Sequence, residues 1–518
     1  MSVFSQYFTG FDYTLSLPMV LLTLFALGIL LIDSVLLTTP ESKRLNPVIA
    51  LMGVFFSAIA LYWNIQRPYR MVEARGIPLY RFTHGFGGTI SMDSFAIYFF
   101  YLFLAAGAIT ILTSVRYLDI EQESHGEFYA LILLSMVGMM GMACGTDLIM
   151  LFISLELMAI STYVLVGFLR RDRRSNEAAL KYLLLGAFSS GIFAYGLSLL
   201  YGLTGSTRLP QIAATLSAYV AQHSTDPILF LALITTATGL LFKVAAVPFH
   251  QWAPDAYEGA PTSITGFMSV AGKAAAWALL LRIFLYAIYP LRPLYLPLLV
   301  FVAIATMTGG NLAALTQTNL KRLFAYSSIA HVGYMLLGLI AGDQQSANPD
   351  GIKGILIYLL VYTFMNLGVF AVITSLRRRE IIGDELEDIS GLWFKAPTEA
   401  VLMMIFLLSL AGIPPLAGFY GKYFIFLSLI ETGHYALASL AVVYVAVALY
   451  YYIKVVNAMF MQRAVDAEPV RISPGMGLAL FVTAVATIGI GLVPDPFIRA
   501  ANWSLHIAQY SPVAQMLR

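Results

Sequence analysis

Apolar residues fall along this chain in long blocks separated by short polar stretches, a pattern unlike the short alternations of a soluble domain. A helix needs about 20 mostly apolar residues to cross the hydrocarbon core of a bilayer. Blocks of that kind predict about 14 spans, at roughly 15–37, 46–64, 92–115, 127–144, 147–169, 177–204, 227–248, 261–289, 293–315, 320–341, 351–376, 398–430, 434–460 and 475–496. The stretch 248–260, PFHQWAPDAYEGA, continues the seventh block as a broken or re-entrant piece. Two polar stretches, about 65–91 and 377–397, read as surface loops, the first with a short hairpin at 79–91. Spans use over half the chain and leave no room for a separate soluble domain. The fold class is therefore an all-α polytopic membrane protein.

Composition agrees. Of 518 residues, 59% are hydrophobic and 11% charged, where a soluble domain carries about 25% charged residues. A net charge of +2 gives no case for nucleic acid. The single cysteine, Cys144, cannot close a disulfide within the chain, and an iron–sulfur cluster needs about four ligating cysteines. The histidines are scattered without HxxxH or HExxH spacing, so no metal site is expected. No GxGxxG follows a strand, so no dinucleotide site is expected either. The first basic residue is Lys43, beyond the first apolar block, so that block is expected to be a permanent span and not a cleaved signal.

Basic residues orient the spans. Loops after odd-numbered spans hold Lys43, Arg44, Arg116, Arg170, Arg171, Arg173, Arg174, Lys321, Arg322, Arg377, Arg378, Arg379, Lys395, Arg463 and Arg471. Even-numbered loops hold fewer, with Arg67, Arg70, Arg75 and Arg81 as the exception. Odd loops are expected to be cytoplasmic, with both termini on the opposite side.

Two segments of the chain align with each other. YVLVG at Tyr163–Gly167 in the fifth span matches YMLLG at Tyr334–Gly338 in the tenth, and Lys181 matches Lys353 at nearly the same offset. The repeat would pair the fourth to eighth spans with the ninth to thirteenth. Five is odd, so the second copy would be inverted in the membrane, as in many transporters. Each copy contains an interrupted span. The seventh runs LFKVAAVPFHQW around Pro248; the twelfth runs LSLAGIPPLAGFYGKYF around Pro414 and Pro415. Proline removes a backbone donor and clashes with the preceding turn. Irregular backbone at membrane depth survives only against protein or a water-filled cavity. Paired breaks point to an ion path; a packing kink is the plainer alternative. The expected organisation is 1–126, 127–290 and 291–462 for the leading helices and the two copies, then 463–518.

Ionisable residues inside apolar blocks carry the functional signal. Each costs about 2.5–3.5 kcal/mol at a helix centre on insertion scales. Glu156 sits in LIMLFISLELMAIST, Lys243 in GLLFKVAAVPFH, Lys273 in VAGKAAAWALLL and Lys422 in GFYGKYF. Lys181 lies about one turn inside the sixth span, His250 at the seventh-span break and His331 within SSIAHVGYML. Burial disfavours an ammonium and a nearby carboxylate favours it. A lysine balanced between those effects can take up and release a proton, and histidine can bridge between lysines. Against this reading, Lys181 could snorkel, Lys273 could serve a structural ion pair, and either histidine could be a satisfied core residue. Asp33, Asp93, Glu127 and Asp147, at span ends, read as interfacial.

Four stretches carry a family resemblance: RSNEAALKYLLLGAFSSGIFAYGLSLLYGLTG from Arg174, FKVAAVPFHQWAPDAYEGAPT from Phe242, QTNLKRLFAYSSIAHVGYMLLG from Gln317 and LSLAGIPPLAGFYGKYF from Leu408. Over about residues 90–460 the chain resembles the antiporter-like subunits of the proton-pumping NADH–quinone oxidoreductases, most nearly the subunit N group. The resemblance implies 14 helices with two inverted five-helix repeats and two broken helices. It also implies proton transfer along a central hydrophilic axis, driven by quinone reduction elsewhere in the complex. It places the family's relay on Glu156, Lys181, Lys243, His250, Lys273, His331 and Lys422, with the Glu156–Lys181 pair gating Lys243. It implies no cofactor in this chain, with flavin, iron–sulfur clusters and quinone in partner subunits of a membrane arm. A bacterial plasma membrane is the expected location, a thylakoid-type membrane the alternative. A lysine at 422, where the sister subunit M typically has glutamate, and a chain ending soon after the last span both favour subunit N over its sisters. A sodium/proton antiporter subunit of the Mrp type shares the plan and is the competing reading.

Overall fold

The computed structural model describes residues 10–37, 39, 42–75, 84–342, 350–378, 383–463 and 472–505. Residues 79–83 of the expected hairpin, Arg379, Arg471 and the last thirteen residues of the chain lie outside the described residues.

Among the described residues, 13 helices are long and apolar enough to cross a membrane. The sequence predicts 14 spans, and the difference is the twelfth. It is split into Pro397–Ala411 and Ala417–Glu431, each of 15 residues. At about 1.5 Å per residue neither half reaches across a core of about 30 Å. The seventh span is split as well: Pro227–Val244 stops short, and the chain resumes as Trp252–Gly259. Both breaks stand where proline was expected to force them.

Burial sorts the spans. The windows of the eighth (Thr262–Ala287), tenth (Leu320–Ala341) and eleventh (Asp350–Leu376) are almost wholly buried, whereas those of the first and thirteenth are only 33% and 28% buried. Inner spans carry the buried lysines and histidine; outer ones present leucine, isoleucine and phenylalanine, for instance Leu184, Phe188, Ile153 and Ile160. An apolar rim around a polar-bearing centre is the arrangement a bilayer demands.

The loops fall into two groups, one at each end of the bundle. At one end, strands β1 (His84–Gly85) and β2 (Ile90–Ser91) form an antiparallel hairpin. Thr146 N–H donates to Thr89 O at 2.9 Å, and Leu148 N–H to Thr207 O at 2.8 Å, so the second, fourth and sixth loops meet. At the other end, Arg174 and Lys321 approach Asp384, each at 3.7 Å, joining the fifth, ninth and eleventh loops. Odd and even loops thus gather on opposite ends, as alternating spans require.

Among the described residues, two further helices of at least 10 residues lie outside the predicted set. Leu209–His223 follows the sixth span, and Asp495–Ser504 follows the fourteenth. The first buries Leu209, Ile212 and Leu216, a helical spacing of three and four residues on one face. Its apolar stripe is too narrow to produce an apolar run, so the span count passes over it.

Two of the acids expected at span ends, Asp93 and Asp147, cap helices. Asp93 accepts from Ala96 N–H and Asp147 from Ile149 N–H, each at 2.9 Å, filling donors that a helix start leaves open. Asp93 also takes both terminal nitrogens of the buried Arg282 at 2.7 and 2.8 Å, while Arg282 Nε–H donates to Ala143 O. This fork ties the eighth span to the third and fourth.

Candidate proton-relay site

At the seventh-span break the helix ends because Ala245 turns left-handed (φ 62°) ahead of Pro248. The freed groups are satisfied from neighbours: Val247 N–H donates to Thr306 Oγ1 at 3.0 Å, and the Trp252 indole N–H reaches back to Phe242 O at 2.9 Å. Lys243 lies in the last turn of the first half, 6% exposed. A cation there faces the negative end of the helix dipole. Its Nζ lies 3.4 Å from the Tyr163 hydroxyl, to which it donates, and 5.7 Å from that ring's centre.

The twelfth-span break uses the same elements. Gly412 takes φ 90° ahead of Pro414 and Pro415. Lys422, on the second half and 5% exposed, donates to the terminal carbonyls Leu410 O and Ala411 O of the first half at 2.9 and 2.8 Å. Those carbonyls are acceptors that a helix end leaves open. Lys422 Nζ lies 5.5 Å from the Tyr334 ring centre. Tyr163 and Tyr334 are the tyrosines of the matching YVLVG and YMLLG segments, so each break lysine sits against the corresponding tyrosine.

Between the breaks stands a third cluster. Lys273 follows a π turn at Met268–Gly272, a distortion that recurs at functional sites. It is 3% exposed and donates to Ser328 Oγ at 2.5 Å. Ser327, Ser328 and His331 share the inner side of the tenth span. His331 Nε2 and the Tyr452 hydroxyl are 2.9 Å apart, Tyr452 and Ser327 Oγ are 2.6 Å apart, and His331 Nδ1 contacts the Tyr358 hydroxyl. Ser328 and His331 on the tenth span thus gather Lys273 and two tyrosine hydroxyls at one place.

The other sequence-derived residues divide. Glu156 lies within electrostatic reach of Lys243, and its buried Oε1 has no hydrogen-bond partner among the described residues. His250 occupies the turn after the break, half-buried. The expected Glu156–Lys181 pair is not formed. Lys181 is 46% exposed and donates instead to Glu177 and Asp255, each at 2.9 Å. A glutamate one helical turn back and an aspartate on the second half of the broken helix both lie on the side Lys181 faces.

Sequence reasoning missed Tyr163, Ser328, Tyr358 and Tyr452 as members of the site, and Asp255 and Arg322 beside it. Tyr163 was visible in the repeat, where it served as an alignment marker. The other hydroxyls carry no local signal, because tyrosine and serine are unremarkable in apolar helices.

Gly186 makes room for Tyr163. A Cβ there would stand 2.0 Å from the Tyr163 hydroxyl oxygen and 2.6 Å from Cζ. Gly186→Ala must therefore turn the ring and part it from Lys243. Vesicles carrying this variant are expected to pump protons about tenfold more slowly at equal complex content, corresponding to about 1.4 kcal/mol. Pumping at the unaltered rate would show that the tyrosine contact is dispensable.

Comparison with known proteins places this arrangement. The family model described as "NADH:quinone oxidoreductase/Mrp antiporter, TM" matches residues 145–448, which defines an antiporter-like membrane subunit. Subunit N 1 of the NADH-quinone oxidoreductase of Koribacter versatilis is 63% identical over 98% of both chains, and subunit N 2 from Solibacter usitatus is 53% identical over 97% of this chain and 99% of the relative. A chain of the respiratory complex I of Thermus thermophilus with bound aureothin superposes with a TM-score of 0.74 at 31% identity, covering 93% of this chain and 99% of that one. A chain of the Mrp complex from Dietzia shares the fold, with a TM-score of 0.75 at 21% identity over 97% of this chain and 99% of that one. The chain belongs to the subunit N family of the NADH–quinone oxidoreductases.

Proposed function

We propose that this chain moves protons across a bacterial plasma membrane through Glu156, Lys181, Lys243, His250, Lys273, His331 and Lys422, driven by quinone reduction in partner subunits of a membrane arm. The observation that carries this reading is the placement of three of the lysines buried among the described residues, Lys243, Lys273 and Lys422. One stands at each helix break and one between them, donating to hydroxyls or to helix-end carbonyls instead of to carboxylates. A lysine locked in a tight ion pair would hold its proton; one hydrogen-bonded to neutral groups is free to exchange it. Gaps longer than a hydrogen bond separate Lys243, Lys273 and Lys422, so transfer between them uses intervening water or side-chain motion.

The reading extends to organisation and partners. Residues 127–290 and 291–462 act as the two inverted copies, each contributing one break lysine. Flavin, iron–sulfur clusters and quinone belong to other subunits. This chain contributes the proton path and its charge balance. The chain, tagged and purified in mild detergent, is expected to bring with it an assembly showing flavin and iron–sulfur absorption. Isolation alone or with small membrane subunits, together with sodium-dependent proton exchange in vesicles, would overturn the reading in favour of an Mrp-type antiporter.

A further inference from the structure

A cavity of about 300 Å³ opens between the first, fourth and fifth spans, away from the lysines and histidines of the relay. Small-molecule sites begin at about this size. Its lining has two parts. Glu127, in the first turn of the fourth span, and Arg170, just past the end of the fifth, line it at the odd-loop end of the bundle. Leu30, Leu131, Leu134, Val164 and Phe168 line the rest. Leu134 follows Glu127 by two helical turns, roughly 10 Å at 1.5 Å per residue, so the apolar part runs down into the hydrocarbon layer. Spread over that depth, the volume is a slot narrower than a helix, which is about 10–12 Å across with its side chains. It suits a single hydrocarbon chain.

Charges around the slot are matched among themselves. Asp172, the acid nearest Arg170 in sequence, accepts from Arg174 N–H at 2.9 Å and so caps the sixth span's helix. Arg174 in turn lies 3.7 Å from Asp384. Near Glu127, Lys43 lies 3.9 Å from Asp33 and 3.2 Å from His125 Nδ1, and His125 Nε2 lies 3.2 Å from Glu123. Glu127 and Arg170 are exposed and form no ion pair among the described residues, with each other or with a neighbour. One anion and one cation are thus left facing a single apolar slot.

We propose that this cavity is a binding site for an aminophospholipid, a phosphatidylethanolamine, with its phosphate on Arg170, its ammonium on Glu127 and one acyl chain in the slot. The planar guanidinium matches phosphate oxygens in pairs, and the carboxylate takes the ammonium. An anionic headgroup such as phosphatidylglycerol satisfies Arg170 but sets its charge against Glu127. The headgroup also lies at the level where charged side chains and lipid phosphates meet. Bound there, the lipid joins the first span, whose window is 33% buried, to the fifth span, which carries Tyr163 next to Val164 of the slot.

The test uses the tagged protein, purified with the subunits that accompany it and placed in vesicles of phosphatidylethanolamine and phosphatidylglycerol. A trace of one lipid or the other carries a photoactivatable diazirine on its acyl chain, and labelled peptides are read by mass spectrometry. The phosphatidylethanolamine probe is expected to label segments 127–134 and 164–170 about fivefold more than the phosphatidylglycerol probe, the worth of one charge contact at a membrane surface. Glu127→Lys should reverse that preference, because two cations then face the headgroup. Val164→Trp, which fills the slot from a position 50% exposed, should remove labelling by both probes at an unchanged amount of chain. Equal labelling by the two probes, unaltered in Glu127→Lys, would mean unselective boundary lipid and overturn the proposal. No labelling of either segment in the unaltered protein would overturn it as well, leaving the slot to another subunit. If Glu127→Lys does not accumulate, Glu127→Gln takes its place and should bring the two probes to equality; a preserved preference there overturns the proposal too.

Discussion

Lys243→Met is expected to abolish the proton pumping carried by this subunit while leaving the helices packed. Methionine matches the length of lysine closely and removes the charge. The side chain is 6% exposed, and it makes no salt bridge among the described residues. Replacing a buried, unpaired ammonium by an apolar chain relieves a desolvation cost and leaves no carboxylate stranded in direct contact. Folding should therefore be unharmed or slightly favoured. Function is a different matter. A group that takes and gives a proton contributes about 10²–10⁴ in rate where it acts, and no neighbouring side chain can substitute at that position. Tyr163, the hydroxyl at 3.4 Å, is too weak an acid and too weak a base to carry protons by itself at neutral pH. The measurement is dye quenching in inside-out vesicles, normalised to complex content. Pumping within a factor of two of the unaltered protein would remove Lys243 from the path.

Gly418→Ala is expected to prevent the twelfth span from forming its break, and so to deplete the assembled protein. A Cβ at 418 would stand 1.8 Å from Ser409 O and 2.7 Å from Ser409 C. Ser409 belongs to the first half-helix and Gly418 to the second, and Gly418 N–H donates to Ser409 Oγ at 3.0 Å. The two halves thus cross with their backbones touching. A side chain could rotate out of the way, but the Ser409 carbonyl, which accepts from the capping Gly412 N–H at 2.9 Å, cannot move without losing that bond. Overpacking of this kind costs about 1–3 kcal/mol where neighbours can adjust and more where they cannot. The amount of tagged chain in the membrane reports the effect. Gly489→Ala, where a Cβ would meet nothing within 4 Å, is the control and should accumulate normally. Equal accumulation of both variants would show that the halves can separate without loss.

The split between what could be read early and what could not runs along particular residues. Lys243 and Lys422 were legible because charge inside an apolar block, next to proline, is a local anomaly that requires no fold to detect. The breaks themselves were legible for the same reason: Pro248, Pro414 and Pro415 withhold donors wherever they stand. Lys273 and His331 were found as lone charges in otherwise apolar helices, but their partners were not. Ser328 and Tyr452 are separated from them by 55 and 121 residues. The helix Leu209–His223 went unseen because 15 residues with one buried stripe give no long apolar run.

Lys181 shows the limit most clearly. The family resemblance implies that Lys181 pairs with Glu156. In the folded chain the same lysine reaches Asp255, 74 residues away, while Glu156 stays open. Amino-acid order alone determined that this protein lies in a membrane, about how many times it crosses, where its helices break and which charges it buries. Each of those follows from the transfer energy of short stretches of chain, which does not depend on neighbours. Only the tertiary structure decided which hydroxyl, imidazole or carboxylate meets each charge. Those contacts are set by how distant helices pack side by side, and a one-residue rotation of a helix, about 100°, would replace every one of them.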